Sequence, residues 1–456
     1  MSANTIPPMR HVLIVGAGLA GCLLAQQLAA AGWRVTMRER RGDPRAQGYS
    51  GGRSINLAIS VRGLTALRRA GLEAEILKDA IRMPGRMIHP GSGGEPIFQP
   101  YSHDPSRAIH SVSRGALNLA LLHAADAHHA VSVAFGRRCT DIDFNAPAAT
   151  FVDPDGRTET VSADLIVGAD GAFSAVRGAM QRNDRLDYSQ SYLGHGYKEL
   201  HIPAVASGPH APWAMRRDAL HIWPRGGSMM IALPNPDGSF TCTLFWPWEQ
   251  GDHSFASVPH GRAALAHFGR HYPDALPLMP TLEADFDRNP VGSLVTVRTS
   301  PWQVGGKVAL IGDAAHAIVP FYGQGANASF EDVTALVDLL ASHGNDTGAA
   351  LRAYQAQRIP NANAIADMAL HNFIEMRDRT ASRAFRVKKR IEHALHAALG
   401  DRFIPLYDLV SFTNVPYAQA QARGRRQDRI LLTGVLGIGA ALAAVIAGAT
   451  LWLVLR

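Results

Sequence analysis

Short apolar runs punctuated by glycine dominate the first part of the chain. His11 to Val15 is a five-residue apolar run rich in β-branched side chains, too short for a helix and continuous enough for a buried strand. Glycines follow at 16, 18 and 21, and an apolar helix is expected from Cys22 to Ala31. A second strand-like run leads to Glu39. The order of strand, glycine and acid recurs twice. Ala163 to Gly168 runs into Asp170 and Gly171 with a helix start just beyond. Val308 to Ile311 runs into Gly312 and Asp313, then a Gly/Pro loop that opens a helix near Gly325. Between these two motifs, over 181–294, apolar and polar residues alternate, as in His221 to Trp223 and Thr241 to Phe245. That is the period of a sheet with one covered face. Over 346–425 the period becomes helical. Pro203 to Pro212 and Pro273 to Pro280 read as loops, and no internal repeat is present.

The three motifs carry the candidate chemistry. Gly16 allows a tight turn, Gly18 lets backbone approach a pyrophosphate, and Gly21 lets the helix pack on the strand. Glu39, eighteen residues past Gly21, is spaced to accept both hydroxyls of an adenosine ribose, and its charge argues against a 2′-phosphate. Asp170, with Ser174 and Arg177 near by, can close a polar network behind the cofactor phosphates. Asp313 at a strand tip suits ribityl hydroxyls. The helix that follows points its positive end at the loop, where it would stabilise the negative charge of a reduced flavin. Together these features specify FAD rather than NAD. A second GxGxxG for a nicotinamide nucleotide is absent.

Length and charge narrow the picture. A chain of 456 residues accommodates two or three domains. Cys22, Cys139 and Cys242 lie far apart, with neither a disulfide framework nor zinc spacing, which points to a reducing compartment. No metal is expected. The start of the chain lacks a signal-peptide pattern. The net charge of +7 concentrates at Arg377 to Arg390 and Arg423 to Arg429. No nucleic-acid motif accompanies it, so nucleic acid is not an expected partner. Ile430 to Leu455 is a stretch of 26 residues without a charge. About 20 apolar residues suffice to cross a bilayer. Arg423, Arg425, Arg426 and Arg429 would stay on the cytoplasmic side by the positive-inside rule. A C-terminal transmembrane helix is therefore expected, anchoring a cytoplasmic catalytic body to a bacterial inner membrane. Oligomeric state has no signature in the sequence.

The three motifs resemble the aromatic-ring hydroxylase family of FAD monooxygenases. Further runs are similar to the kynurenine-hydroxylating branch of that family: Gly52 to Ala58, Met87 to His89, Asp187 to Ser189, His195 to Tyr197, His221 to Pro224, Met229 to Pro234, Phe240 to Phe245 and Phe373 to Arg377. The resemblance spans residues 10–425. It implies an α/β architecture: a Rossmann-like FAD-binding domain (1–180, with a pocket segment at 86–105, and 295–345), an inserted β-sheet substrate domain (181–294) and a helical region (346–425), to which the uncharged run adds the anchor helix (430–455). It implies hydroxylation of L-kynurenine to 3-hydroxykynurenine with NADPH and O2. The flavin carries the hard chemistry, so no catalytic side chain is expected.

Residue by residue, the resemblance assigns the substrate carboxylate to Arg86, Tyr101, Asn372 and Tyr407. An arginine fork suits a carboxylate better than a lysine does. Glu375 and Met376 lie in the same motif as Asn372. Ile231, Leu233 and Phe245 are expected to form an apolar wall, with Phe321 and Tyr322 beside the flavin. The implied cofactor contacts, besides Gly16, Gly18, Gly21 and Asp170, are Leu19, Arg38, Glu39, Arg40, Arg41, Ala58, Arg114, Cys139, Ala175, Asp313, Pro320, Gly325, Ala326 and Asn327, several through backbone. Ala175, Tyr322 and Ala326 depart from residues common in the family. Two alternatives stay open at this stage: a FAD hydroxylase of another aromatic substrate, and a membrane-anchored electron-transfer flavoprotein.

Overall fold

A computed structural model describes residues 9–47, 56–91, 93–379, 383–431 and 433. β1 (His11–Val15) is buried at every position, and α1 (Leu19–Ala30) returns the chain to β2 (Arg34–Arg38), parallel to β1. Next come α2 (Pro44–Gln47), β3 (Asn56–Ile59), α3 (Val61–Arg69), α4 (Glu73–Lys78) and β4 (Ile81–Met83), then a hairpin of β5 (Gly85–Ile88) and β6 (Ile97–Pro100). β7 (Ile109–Ser113), α5 (Arg114–Asp126) and β8 (Val131–Ala134) follow. β9 (Arg138–Asp143), β10 (Ala148–Val152) and β11 (Thr158–Ser162) form a meander, and β12 (Leu165–Gly168) leads into α6 (Ala175–Asn183).

β13 (Asp187–Ile202), β14 (Ala219–Pro224), β15 (Met229–Pro234) and β16 (Phe240–Pro247) come next, then α7 (Gly261–His271), α8 (Leu282–Arg288) and β17 (Gly292–Ser300). The chain ends through β18 (Gln303–Val304), β19 (Val308–Leu310), α9 (Asp313–His316), α10 (Gly325–Ser342), α11 (Thr347–Ile374), α12 (Arg383–Leu399), α13 (Leu406–Ser411) and a helix at 417–431.

Two sheets organise these elements. The first has the order β18-β19-β12-β1-β2-β8, all parallel except β18. β19, β12 and β1 are therefore neighbours pointing the same way, and their three glycine-acid motifs meet at one end, where parallel sheets bind ligands. The second sheet has the order β17-β13-β16-β15-β14-β5-β6. One face of it packs Phe245, Met229 and Ile222 against α11 and the segment before α10. Its other face packs Trp223, Trp246 and Met230 against α7 and α8. The β5–β6 hairpin extends this sheet through parallel pairing of β5 with β14.

One expectation is corrected. Among the described residues no helix is long and apolar enough to cross a membrane. The longest, α11 with 28 residues, carries Arg352, Arg358 and Asp367 along its length. The segment 430–455, where the transmembrane helix was placed, lies outside the described residues except for Ile430, Leu431 and Thr433. The fold is accordingly an α/β FAD-binding fold with an inserted sheet and a helical C-terminal region, with no membrane-spanning helix among the described residues.

Candidate active site

The turn after β1 is shaped by glycines that serve two different ends. Gly16 has φ 106°, and a Cβ there would lie 2.6 Å from the Ala169 carbonyl oxygen. A Cβ on Gly21 would lie 2.1 Å from the Gly16 oxygen, while one on Gly18 would meet nothing within 4 Å. Gly16 and Gly21 are thus required by the fold, whereas Gly18 keeps open a space that the fold itself does not fill. Helix α1 starts at Leu19, and its N-cap Gly18 offers no side-chain cap; α5, α6 and α11 are capped by Ser113, Ser174 and Asp346. The first-turn N–H groups of α1 have no intrahelical partner, which makes an anion seat.

Glu39 closes this turn. Its two oxygens accept from the backbone N–H groups of Ala17 (2.8 Å) and Arg41 (3.0 Å), and each keeps a lone pair for a ribose hydroxyl. The Arg38 carbonyl accepts the Gly16 N–H, while its side chain turns to Glu159 at 2.5 Å. Arg40, Arg41 and Arg114 are exposed. Cys139 is buried in β9, and burial pushes its thiol up to about 12.

The second motif ties the first to the third. Asp170 accepts the N–H groups of Ala175 (2.6 Å) and Val176 (3.3 Å) through one oxygen; its other oxygen is buried with no partner among the described residues. Burial pushes this carboxyl above its ordinary range against the hydrogen bonds that lower it. Arg177 donates to the carbonyls of Ala172 (2.6 Å) and Ala314 (2.7 Å), joining the Asp170 turn to α9.

Asp313, the first residue of α9, is exposed, and its turn is anchored from behind. The fully buried Asp332 accepts the Gly312 N–H (3.0 Å), His316 Nε2 (2.5 Å) and Arg358 Nε (2.7 Å). Burial alone would raise the Asp332 carboxyl; His316 and Arg358 outweigh it and hold it below its usual range. Helix α10 has no side-chain cap either. The Asn327 side chain is spent on protein: Oδ1 accepts from Ser60 N (2.9 Å) and Gly63 N (3.2 Å), and Nδ2 donates to the carbonyls of Ala58 (2.9 Å) and Gly323 (2.8 Å). What this turn leaves open to a cofactor is therefore the backbone of Gly325, Ala326 and Asn327. Pro320 is exposed at the start of the preceding turn.

Beside this turn lies a cavity of about 410 Å³ that brings together Arg86, Tyr101, Asn372 and Tyr407 with Tyr322 and Glu375. They come from β5, the residue after β6, α11, α13, the 320–322 turn and the residue after α11. Tyr101 and Tyr407 stack at 4.8 Å, and Tyr407 stacks on Tyr322 at 5.7 Å. Burial raises all three phenols, Tyr407 to about 12, so their hydroxyls stay protonated donors. The Tyr101 hydroxyl is buried without a hydrogen-bond partner among the described residues. Arg86, 7 % exposed, donates Nε to Gln99 Oε1 at 2.9 Å. No carboxylate among the described residues pairs with it. The acids of the rim, in contrast, already have cations: Glu392 pairs with Lys389 at 3.0 Å and Asp428 with Lys388 at 3.0 Å. Asn372 Nδ2 is engaged by the Phe321 carbonyl (2.7 Å) and Met376 Sδ (3.3 Å), so donation to a ligand displaces the weak sulfur contact.

Ile231, Leu233, Phe245 and Phe321 do not line this cavity. Phe321 stacks on Phe373 at 4.1 Å and meets Phe245 edge-on at 4.9 Å. Leu233 packs with Met83, Ile109 and Tyr101, and Ile231 lies against the same cluster. These side chains form a layer behind the tyrosines. Gln99, which orients Arg86, and Asp408, which follows Tyr407 in the wall, were not singled out from the sequence. The β5–β6 register that opposes Arg86 to Gln99 was the available signal.

Comparison with known proteins places this geometry. A family described as FAD binding domain matches residues 9–369. Kynurenine 3-monooxygenase of Stenotrophomonas maltophilia (strain K279a) is 47% identical over 429 residues, 94% of this chain and 93% of that protein. The Myxococcus xanthus (strain DK1622) enzyme of the same name is 48% identical over 421 residues, 92% of this chain and 89% of that protein. The chain belongs to the kynurenine 3-monooxygenase family. Solved structures share the fold of this family at lower identity. A tetrameric 2-methyl-3-hydroxypyridine-5-carboxylic acid oxygenase superposes with TM-score 0.67 at 22% identity, over 87% of this chain and 98% of that one. The p-nitrophenol 4-monooxygenase of Pseudomonas putida DLL-E4 gives 0.66 at 20% identity, over 85% of this chain and 94% of that one. The cradle fits the FAD of a kynurenine 3-monooxygenase: an open Gly18, two uncapped helix starts, the orphaned Asp170 oxygen and the exposed Asp313 all meet at one end of the parallel sheet.

Proposed function

We propose that this chain hydroxylates L-kynurenine to 3-hydroxykynurenine, consuming NADPH and O2 and releasing NADP⁺ and water. FAD, when bound in the cradle, takes the electrons of NADPH and activates O2. The residues of the chain bind and orient. Arg86 takes the substrate carboxylate, with the Tyr101 and Tyr407 hydroxyls donating to it. Asn372 contributes its amide at the cost of the Met376 contact. Tyr322, carried on the loop before α10 and stacked on Tyr407, sets how close the aromatic ring comes to the flavin. The layer of Ile231, Leu233, Phe245 and Phe321 holds the tyrosines rigid and keeps water from the reacting ring.

The observation that carries this reading is Arg86, a buried guanidinium with no carboxylate partner among the described residues, inside a cavity whose lining acids are each paired with another cation. A buried cation of this kind calls for an anionic ligand. The test follows NADPH oxidation in air with and without L-kynurenine, assaying 3-hydroxykynurenine and hydrogen peroxide. Product formed in step with NADPH, with little oxidation in the absence of kynurenine, is the expected result. Kynurenine-stimulated oxidation that yields only peroxide would assign the hydroxylation to another ring.

A further inference from the structure

We propose that His253, His267 and His271 form a binding site for a divalent late first-row transition ion of the zinc type, on the face of the substrate sheet away from the flavin. His267 and His271 stand four residues apart on α7 and so share one helical face. His253 reaches them from the segment between β16 and α7, with its Nδ1 2.9 Å from His267 Nε2. One ligand atom from each ring lies within 4.8 Å of the other two. The rings fan around a common point: centroids are 4.9 Å apart for His253–His267, 4.4 Å for His253–His271 and 4.5 Å for His267–His271.

Imidazole suits zinc, copper, nickel and cobalt, and metal–nitrogen bonds of about 2.0–2.1 Å set neighbouring ligand atoms about 3 Å apart. One pair already has that spacing, and the third ring closes by a small side-chain rotation. The Trp246 ring, 4.8 Å away edge-on, fixes the buried His267. His253 and His271 are half-buried, so an ion has a path in and water can complete its shell. Asp252 favours a cation here, while Arg225 and Arg270 oppose it. Arg225 is itself engaged by the carbonyls of His89, Pro224 and His271. A bound ion would pin the 248–260 segment to α7 over the outer face of β16.

The full-length, FAD-loaded protein, first stripped with a chelator, would be titrated with Zn²⁺ by calorimetry and with Co²⁺ by visible absorption. One saturable equivalent is expected, lost in His253→Ala/His271→Ala and weakened at least tenfold in the milder His253→Gln. At a hundredfold excess over Kd, Zn²⁺ should raise the thermal midpoint by about 3 °C in the parent and not in the double variant. The variants keep kynurenine-dependent NADPH oxidation, because the site lies behind the sheet. Absence of saturable binding, or binding unchanged in the double variant, overturns the proposal.

Discussion

Removing the Arg86 guanidinium separates substrate recognition from everything else in the chain. Among the described residues, Arg86→Ala loses the side-chain bond from Nε to Gln99 Oε1 and a contact over the Tyr101 ring at 5.9 Å. That leaves one acceptor short of a donor, about 1 kcal/mol of stability. The cofactor cradle is untouched, so FAD content should equal that of the parent. Kynurenine binding should suffer far more. Truncating one side of a desolvated, hydrogen-bonded charge pair costs about 2–5 kcal/mol. The cavity opens to water through a charged rim, which places the loss in the lower part of that range, about 2–3 kcal/mol. The dissociation constant for L-kynurenine should rise about 30- to 160-fold. It is read by titrating the flavin spectrum with ligand. The decarboxylated amine of kynurenine supplies the control: lacking the carboxylate, it should bind parent and variant within a factor of about two. Equal kynurenine affinity in the variant, or an equal loss for both ligands, would refute the pairing of Arg86 with the carboxylate.

Three further outcomes test the architecture. Gly18→Ala should leave the thermal midpoint unchanged but lower bound flavin per protein, since its Cβ meets only open space; Gly21→Ala should cost at least about 2 kcal/mol of stability, its Cβ lying 2.1 Å from the Gly16 oxygen. Asn327→Ala orphans two backbone N–H groups and two carbonyls, so urea denaturation should show a loss of at least about 3 kcal/mol, accompanied by flavin release. Burial lowers the His221 imidazole from 6.5 to about 3, so the unfolded chain binds its proton first. Stability from this group is full above pH 6.5 and lost as pH falls toward 3; His221→Gln should flatten the fall of the thermal midpoint with acid across that window. An identical slope in the variant would discount His221.

The cradle was legible in the sequence because its signals are local. Each motif is a strand, a glycine turn and an acid within one short stretch of chain, the longest running from His11 to Glu39, and parallel pairing of β1, β12 and β19 brings the three turns together. The cavity was legible only through resemblance, since Arg86 and Tyr407 are separated by most of the chain and nothing in their spacing announces a meeting. The i, i+2 spacing of Ile231 and Leu233 in a strand marks them as sharing a face. It does not say that Tyr101 and Tyr407 stand between that face and the cavity. Asn327 illustrates a different limit. Its position suggested a cofactor contact, yet its side chain is consumed in stapling Ser60 and Gly63 to the loop before α10, a long-range demand with no sequence period.

Arg62 shows what such long-range demands entail. It is 1% exposed, pairs with Glu331 at 2.5 Å, lies 3.9 Å from the Tyr417 ring centroid and donates to the carbonyls of Leu409, Val410 and Val415. The helix that presents Tyr407 is thereby moored to a residue near the start of the chain, far from any ligand. A survey of substitutions scored by substrate affinity would flag Arg62 as strongly as a pocket residue. The map of sensitivity for this enzyme should follow the moorings of its walls as well as the walls themselves.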